Sequence, residues 1–122
     1  MDGNDTTTHA HMPTSRTSRI AYLNDELRCH LRGGQLAVTY GILDFHGGVY
    51  VPEILERVRA FSDFSADNDP YYERDFGAFD FLGHRINWKI DYYDLDMRYR
   101  STDPADPAIT IRLLTVMLAA EY

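Results

Sequence analysis

The chain has 122 residues, 44% of them hydrophobic, and a formal net charge of −7, which suits one compact domain once a polar N-terminal stretch is set aside. A single lysine and an acidic balance argue against a general nucleic-acid binder, because a phosphate backbone is gripped by releasing counterions to Lys and Arg. One cysteine, Cys29, excludes an internal disulfide, and no stretch is long or apolar enough for a signal peptide or a membrane span, so the expected compartment is the reducing cytoplasm.

Residues 1–17 lack hydrophobic periodicity and are expected to be a disordered polar tail, leaving 18–122 as a single domain. Ile20, Leu23, Leu27 and Leu31 then recur at helical spacing, and Gly33-Gly34 offers a left-handed stop. Cys29 projects away from that stripe, half-exposed, with no histidine or basic cluster placed to activate it. Gln35-Leu36-Ala37-Val38-Thr39-Tyr40 reads as a short strand, followed by a glycine-containing connection over residues 41–48. Pro52 suits the first turn of a second helix, whose Ile54, Leu55, Val58 and Phe61 mark one apolar face. Its Glu53, Glu56, Arg57 and Arg59 form a solvated face, with Glu53 and Arg57 in the favourable i,i+4 order.

The next two segments pair as a hairpin in a definite register. With Leu82-Gly83 as a two-residue turn, Phe81 faces His84, Phe79 faces Ile86 and Gly77 faces Trp88, the glycine making room for the indole. The other face sets Asp80 against Arg85 and Arg74 against Asp91, so opposite charges meet where a one-residue slip would bury them. Leu82 is the weak point, since primed turns need a positive φ that leucine resists.

Leu95, Met97 and Tyr99 alternate with Asp96, Arg98 and Arg100, as in a strand that continues or restarts beyond Asp94. Asp103-Pro104-Ala105-Asp106-Pro107 offers two helix caps, and Ile109, Leu113, Val116, Met117 and Ala120 describe an amphipathic last helix. The order helix, strand, helix, hairpin, strand, helix predicts an α+β fold: a small antiparallel sheet built on a central hairpin and covered by about three helices.

Asn68-Asp69-Pro70, Asp75-Phe76-Gly77-Ala78-Phe79, Trp88-Lys89-Ile90-Asp91-Tyr92-Tyr93-Asp94, Asp103-Pro104-Ala105-Asp106-Pro107 and Leu114-Thr115-Val116-Met117-Leu118-Ala119 together resemble the small bacterial family known as domain of unknown function 3768. The likeness runs roughly over residues 19–122; residues 43–50 depart from the family pattern, which enters its second helix through a polar, proline-containing loop. The resemblance implies a setting on plasmids and integrative elements, among accessory genes that include antirestriction proteins. It implies no activity, cofactor or catalytic residue.

Residues 61–96 hold nine acidic side chains against three basic ones, a net of −6, so most of the negative charge lies in this region. Asp67, Asp69 and Glu73 offer hard oxygens, but the spacing lacks the glycine and terminal glutamate of a calcium loop and Pro70 interrupts it. The five histidines show no paired ligand spacing, so no metal is expected. Asp75, Asp91 and Glu73 near Tyr92 and Tyr93 would suit acid–base chemistry, yet no phosphate loop or activated nucleophile accompanies them. Carboxylates two apart on a strand lie about 7 Å from each other, comparable to DNA phosphates, but Lys89 and Arg85 interrupt that imitation.

The expectation is therefore a non-catalytic cytoplasmic accessory protein without a cofactor. It would bind a basic protein surface, neither nucleic acid nor a membrane, through an acidic, tyrosine-rich surface made of Asp69, Glu73, Asp75, Asp91, Tyr93, Asp94 and Asp96. An anti-defence role, antirestriction or anti-CRISPR-like, fits the mobile-element setting. The alternatives are a small Asp/Glu acid–base enzyme working near the hairpin end and a structural domain of unassigned role.

Overall fold

The computed structural model describes residues 14–122, so most of the expected tail lies outside the described residues. Helix α1, Arg16–His30, starts inside the span assigned to the tail, where the Ser15 hydroxyl accepts the Ser18 amide at 3.0 Å. It ends before the glycines. Leu31 itself takes the left-handed conformation, at φ 54°, and the Leu31 and Arg32 amides donate back to the Leu27 and Glu26 carbonyls at 2.8 and 3.1 Å.

Strand β1, Gly34–Val38, leads into a short helix α2, Tyr40–Asp44, and a 3-10 turn, Phe45–Gly48. Helix α3, Val51–Arg59, carries Pro52 in its first turn as its composition predicts. Strands β2, Phe76–Phe81, β3, His84–Tyr93, and β4, Ile111–Leu118, complete a four-stranded sheet of order β1-β4-β3-β2, and a final 3-10 turn spans Ala119–Glu121. The α+β class is borne out, but the sheet is mixed rather than wholly antiparallel because β1 runs parallel to β4. Ile20 and Leu27 of α1, Ile42 of α2 and Ile54 and Val58 of α3 share one core with Ile86, Trp88, Ile90, Leu114 and Val116, so the helices cover one face of the sheet.

The β2–β3 hairpin pairs in the expected register: Phe81 with His84, Phe79 with Ile86 and Gly77 with Trp88. Its turn is the two-residue one, with Leu82 at φ 48° and Gly83 at φ 81°, so leucine accepts the left-handed conformation it ordinarily resists.

The expected last helix is strand β4 instead. Leu114, Val116 and Leu118 point to the core while Ile111, Leu113 and Met117 point away from it, and apolar residues on both faces hide the alternation that marks a strand. The expected strand around Leu95, Met97 and Tyr99 is a tight turn. The Asp94 carboxylate accepts the Arg98 amide at 3.0 Å, the Met97 amide donates to the Asp94 carbonyl at 2.9 Å, and a lone bridge joins Tyr93 to Arg100.

Candidate functional site

Antiparallel pairing brings the start of β2, the end of β3 and the start of β4 to one end of the sheet. Three loops therefore gather there, residues 69–75, 94–100 and 101–110, with the middle of α1 lying on the core side. At their meeting point sits a buried polar chain. The Arg112 Nε donates to the Asn24 carboxamide oxygen at 2.9 Å, the Asn24 Nδ2 donates to the Tyr92 hydroxyl at 2.8 Å, and that hydroxyl donates to the Glu73 carboxylate at 2.9 Å. A cation and an anion are thus joined through two neutral groups, each both donating and accepting, an arrangement in which successive bonds polarise one another.

The surroundings complete the satisfaction of these groups. Asn24 also donates to the Glu73 carbonyl at 2.9 Å, and Arg112 Nη2 donates to the Pro104 carbonyl. The Arg112 and Arg100 guanidinium groups lie 5.2 and 5.4 Å from the centre of the Tyr92 ring. Burial pushes the Tyr92 phenol well above its ordinary value, with the charges of Glu73 and Asp75 adding to the effect, so it remains a donor at neutral pH. Burial lowers the Arg112 value, opposed by Tyr92 and Glu73. Asp75 is raised above the usual carboxylate range, first by burial and then by the neighbouring charge of Glu73.

The seven expected binding residues do not form one surface. Asp69, Glu73 and Asp75 come together beside the buried chain, but Asp69 is itself buried and its carboxylate accepts the Arg74 amide at 2.9 Å, which shapes the loop. Asp91 and Tyr93 alternate with Tyr92 and so lie on the opposite face of the sheet. Asp91 pairs with Lys89 at 2.7 Å, not with Arg74, whose guanidinium reaches Asp25 at 3.0 Å. The reason is that β2 begins only at Phe76, and Arg74, at φ 56°, has already turned out of register. Asp94 is half-buried and caps its own turn, which leaves Asp96 as the one exposed carboxylate of the six in the set.

Asn24, Arg28 and Arg112 are among the buried polar side chains that escaped the sequence reading. Asn24 and Arg28 stand one helical turn apart within the apolar stripe of α1, and polar residues there were the available signal. Arg28 seals the end of α3, donating to the Val58, Arg59 and Phe61 carbonyls at 3.0, 3.0 and 2.9 Å while lying between the Phe64 and Trp88 rings. Arg112 was hidden by the helical reading of its segment. Among the described residues no group of three or more His, Cys, Asp or Glu side chains is arranged to hold a metal ion.

Around this polar centre the loops expose large side chains. Tyr71, Tyr72, Leu95, Met97 and Tyr99 are exposed, and Tyr72, Arg74 and Met97 take positive φ values without being glycine. The fold and this end of the sheet define a two-layer α+β protein with a closed polar centre beneath an exposed rim of aromatic and aliphatic side chains. The chain belongs to the family described as protein of unknown function (DUF3768), whose model matches residues 38–121. That span includes Glu73, Tyr92 and Arg112, while Asn24 comes from the helix that precedes it. No curated protein matches the chain, and no solved structure does. No helix among the described residues is long and apolar enough to cross a membrane.

Proposed function

We propose that this is a non-catalytic accessory protein that binds a basic protein surface through the rim at the β2–β3 end. The observation that carries the reading is the set of five exposed side chains, Tyr71, Tyr72, Leu95, Met97 and Tyr99, held out on two loops with left-handed non-glycine residues beside Asp96. Local strain of this kind persists only where the surroundings over-determine it and is concentrated at functional loops. Tyrosines supply large contact area at low entropic cost, and Asp96, exposed among them, steers a basic partner. The plasmid and antirestriction setting implied by the family resemblance makes a component of a bacterial defence system the natural partner, met in the cytoplasm.

The test is capture from a bacterial lysate by the immobilised full chain, compared with Asp96→Lys combined with Tyr99→Ala. Asp94 is left alone because its carboxylate holds the turn. The wild type should retain a stoichiometric basic protein that elutes as salt rises, and the variant should lose it while keeping its far-UV spectrum. Retention that is the same for both proteins, or the absence of any stoichiometric partner, overturns the proposal.

A second reading is favoured by Asp75, raised above the usual carboxylate range first by burial and then by the charge of Glu73, since a carboxyl raised in this way suits acid–base chemistry. It would be supported by turnover of a chromogenic ester, phosphoester or glycoside that disappears in Asp75→Asn.

A further inference from the structure

The sheet has a second face that the helices do not cover. On it lie Ile111, Leu113, Thr115 and Met117 of β4, flanked by Ala37 of β1 on one side and by Asn87, Lys89, Asp91 and Tyr93 of β3 on the other, with Phe76 of β2 beyond them. A sheet face open to water ordinarily shows polar side chains, whereas three of the four outward residues of this central strand are apolar. Met117 is 4% exposed although it stands outside the core cluster. Phe76, Ile111 and Leu113 are half-buried with no helix packed over them.

The charges on this face are balanced. They are Asp80 with Arg85 at 3.4 Å and Lys89 with Asp91 at 2.7 Å, two positive and two negative, on a chain whose net charge is −7. The negative excess therefore lies elsewhere on the molecule. A basic partner gains nothing from a neutral face, while another copy of the same acidic chain meets least repulsion there, and a two-fold arrangement lets each ion pair face its counterpart with opposite sign. We propose that the outer face of the sheet docks a second copy of the chain, sheet against sheet. A patch on the order of 20 by 15 Å in projection implies roughly 800–1,000 Å² buried in total, which places the dimer at the weak, reversible end of specific association.

Salt separates this surface from the acidic rim. Two copies each carrying −7 repel at long range, so screening strengthens the dimer, whereas a complex of the rim with a basic protein loosens as salt rises. Sedimentation velocity of the full chain from about 10 μM to about 1 mM, at low and at high salt, reads this directly. The weight-average mass should climb from 14.1 kDa toward twice that value, at lower concentration in high salt. Leu113→Lys and Thr115→Arg should each remain monomeric over the same range with unchanged far-UV spectra, and Asp96→Lys should dimerise like the wild type. A wild type that stays at 14.1 kDa throughout, or a dimer that survives both sheet-face variants, overturns the proposal.

Discussion

The Trp88 indole occupies the space that a side chain at Gly77 would need: a β-carbon built at Gly77 would stand 2.6 Å from the indole Cε2. The two residues are direct cross-strand partners, and Trp88 is fully buried, with Phe61 and Phe64 set edge-on at 5.6 and 6.1 Å and the Arg28 guanidinium at 5.2 Å. Glycine is required here by close approach, since its backbone lies in ordinary extended space.

Removing the indole leaves a large hole under three packed groups, so Trp88→Ala should destabilise by about 3–5 kcal/mol in urea denaturation. Gly77→Val forces the indole out of place and should cost about 1–3 kcal/mol or more. Asp80→Ala breaks only an exposed pair and should cost less than about 1 kcal/mol. If Asp80→Ala proved the most damaging of the three, the packing account of the hairpin would be wrong.

Arg112 and Asn24 should behave as one unit. Arg112→Met leaves the Asn24 carboxamide oxygen and the Pro104 carbonyl unpaired, and each stranded acceptor costs about 1–3 kcal/mol. Asn24→Leu strands the Arg112 Nε and the Glu73 carbonyl in the same way. Combined, the two changes should destabilise by less than their sum, because each removes a group the other has left unsatisfied. Strict additivity in a double-mutant cycle would show that the polar chain is not energetically connected.

Glu121 closes the C-terminus onto the start of α2. One carboxylate oxygen accepts the Thr39 hydroxyl at 2.7 Å and the Leu118 amide at 2.8 Å, and the other accepts the Gly41 amide at 2.9 Å. Burial by itself would raise this carboxyl, but the bonds from Thr39, Leu118 and Gly41 outweigh it and hold the group below its ordinary value. A depressed carboxyl stabilises the fold above its unfolded-state value and loses that contribution as pH falls through the folded one. Glu121→Ala should therefore lower Tm at neutral pH, by less than about 1 kcal/mol equivalent because the group is exposed, and the gap to wild type should close below the ordinary glutamate range. A gap that stays constant down to low pH would assign the effect to packing instead.

The hairpin was legible because every rule that fixes it is short-ranged: a two-residue turn, alternation on each strand, and a glycine facing an indole. The first and third helices were legible for the same reason, through apolar spacing and Pro52. The segment from Ile111 to Leu118 was misread because its placement between β1 and β3 gives it an apolar residue on either side, so a helical stripe can be traced through Ile109, Leu113 and Val116 as readily as a strand. Its parallel partner β1 lies more than seventy residues away, and no local signal announces that pairing.

By itself, then, the sequence determined the α+β class, the hairpin with its register, and the concentration of acidic and aromatic residues between Phe61 and Asp96. The tertiary structure decided what those residues do. It took Asp69 and Asp94 for backbone amides, turned Asp91 to the other face to meet Lys89, and buried Tyr92 against Asn24 and Arg112 with Glu73 at its hydroxyl. The physical reason is that a polar group is spent or left free according to the partners within about 3 Å of it: Asp69, Asp94 and Asp91 meet theirs in the chain close by once the loops and β3 have formed, whereas Tyr92 reaches Glu73 across 19 residues and Arg112 donates to Asn24 across 88.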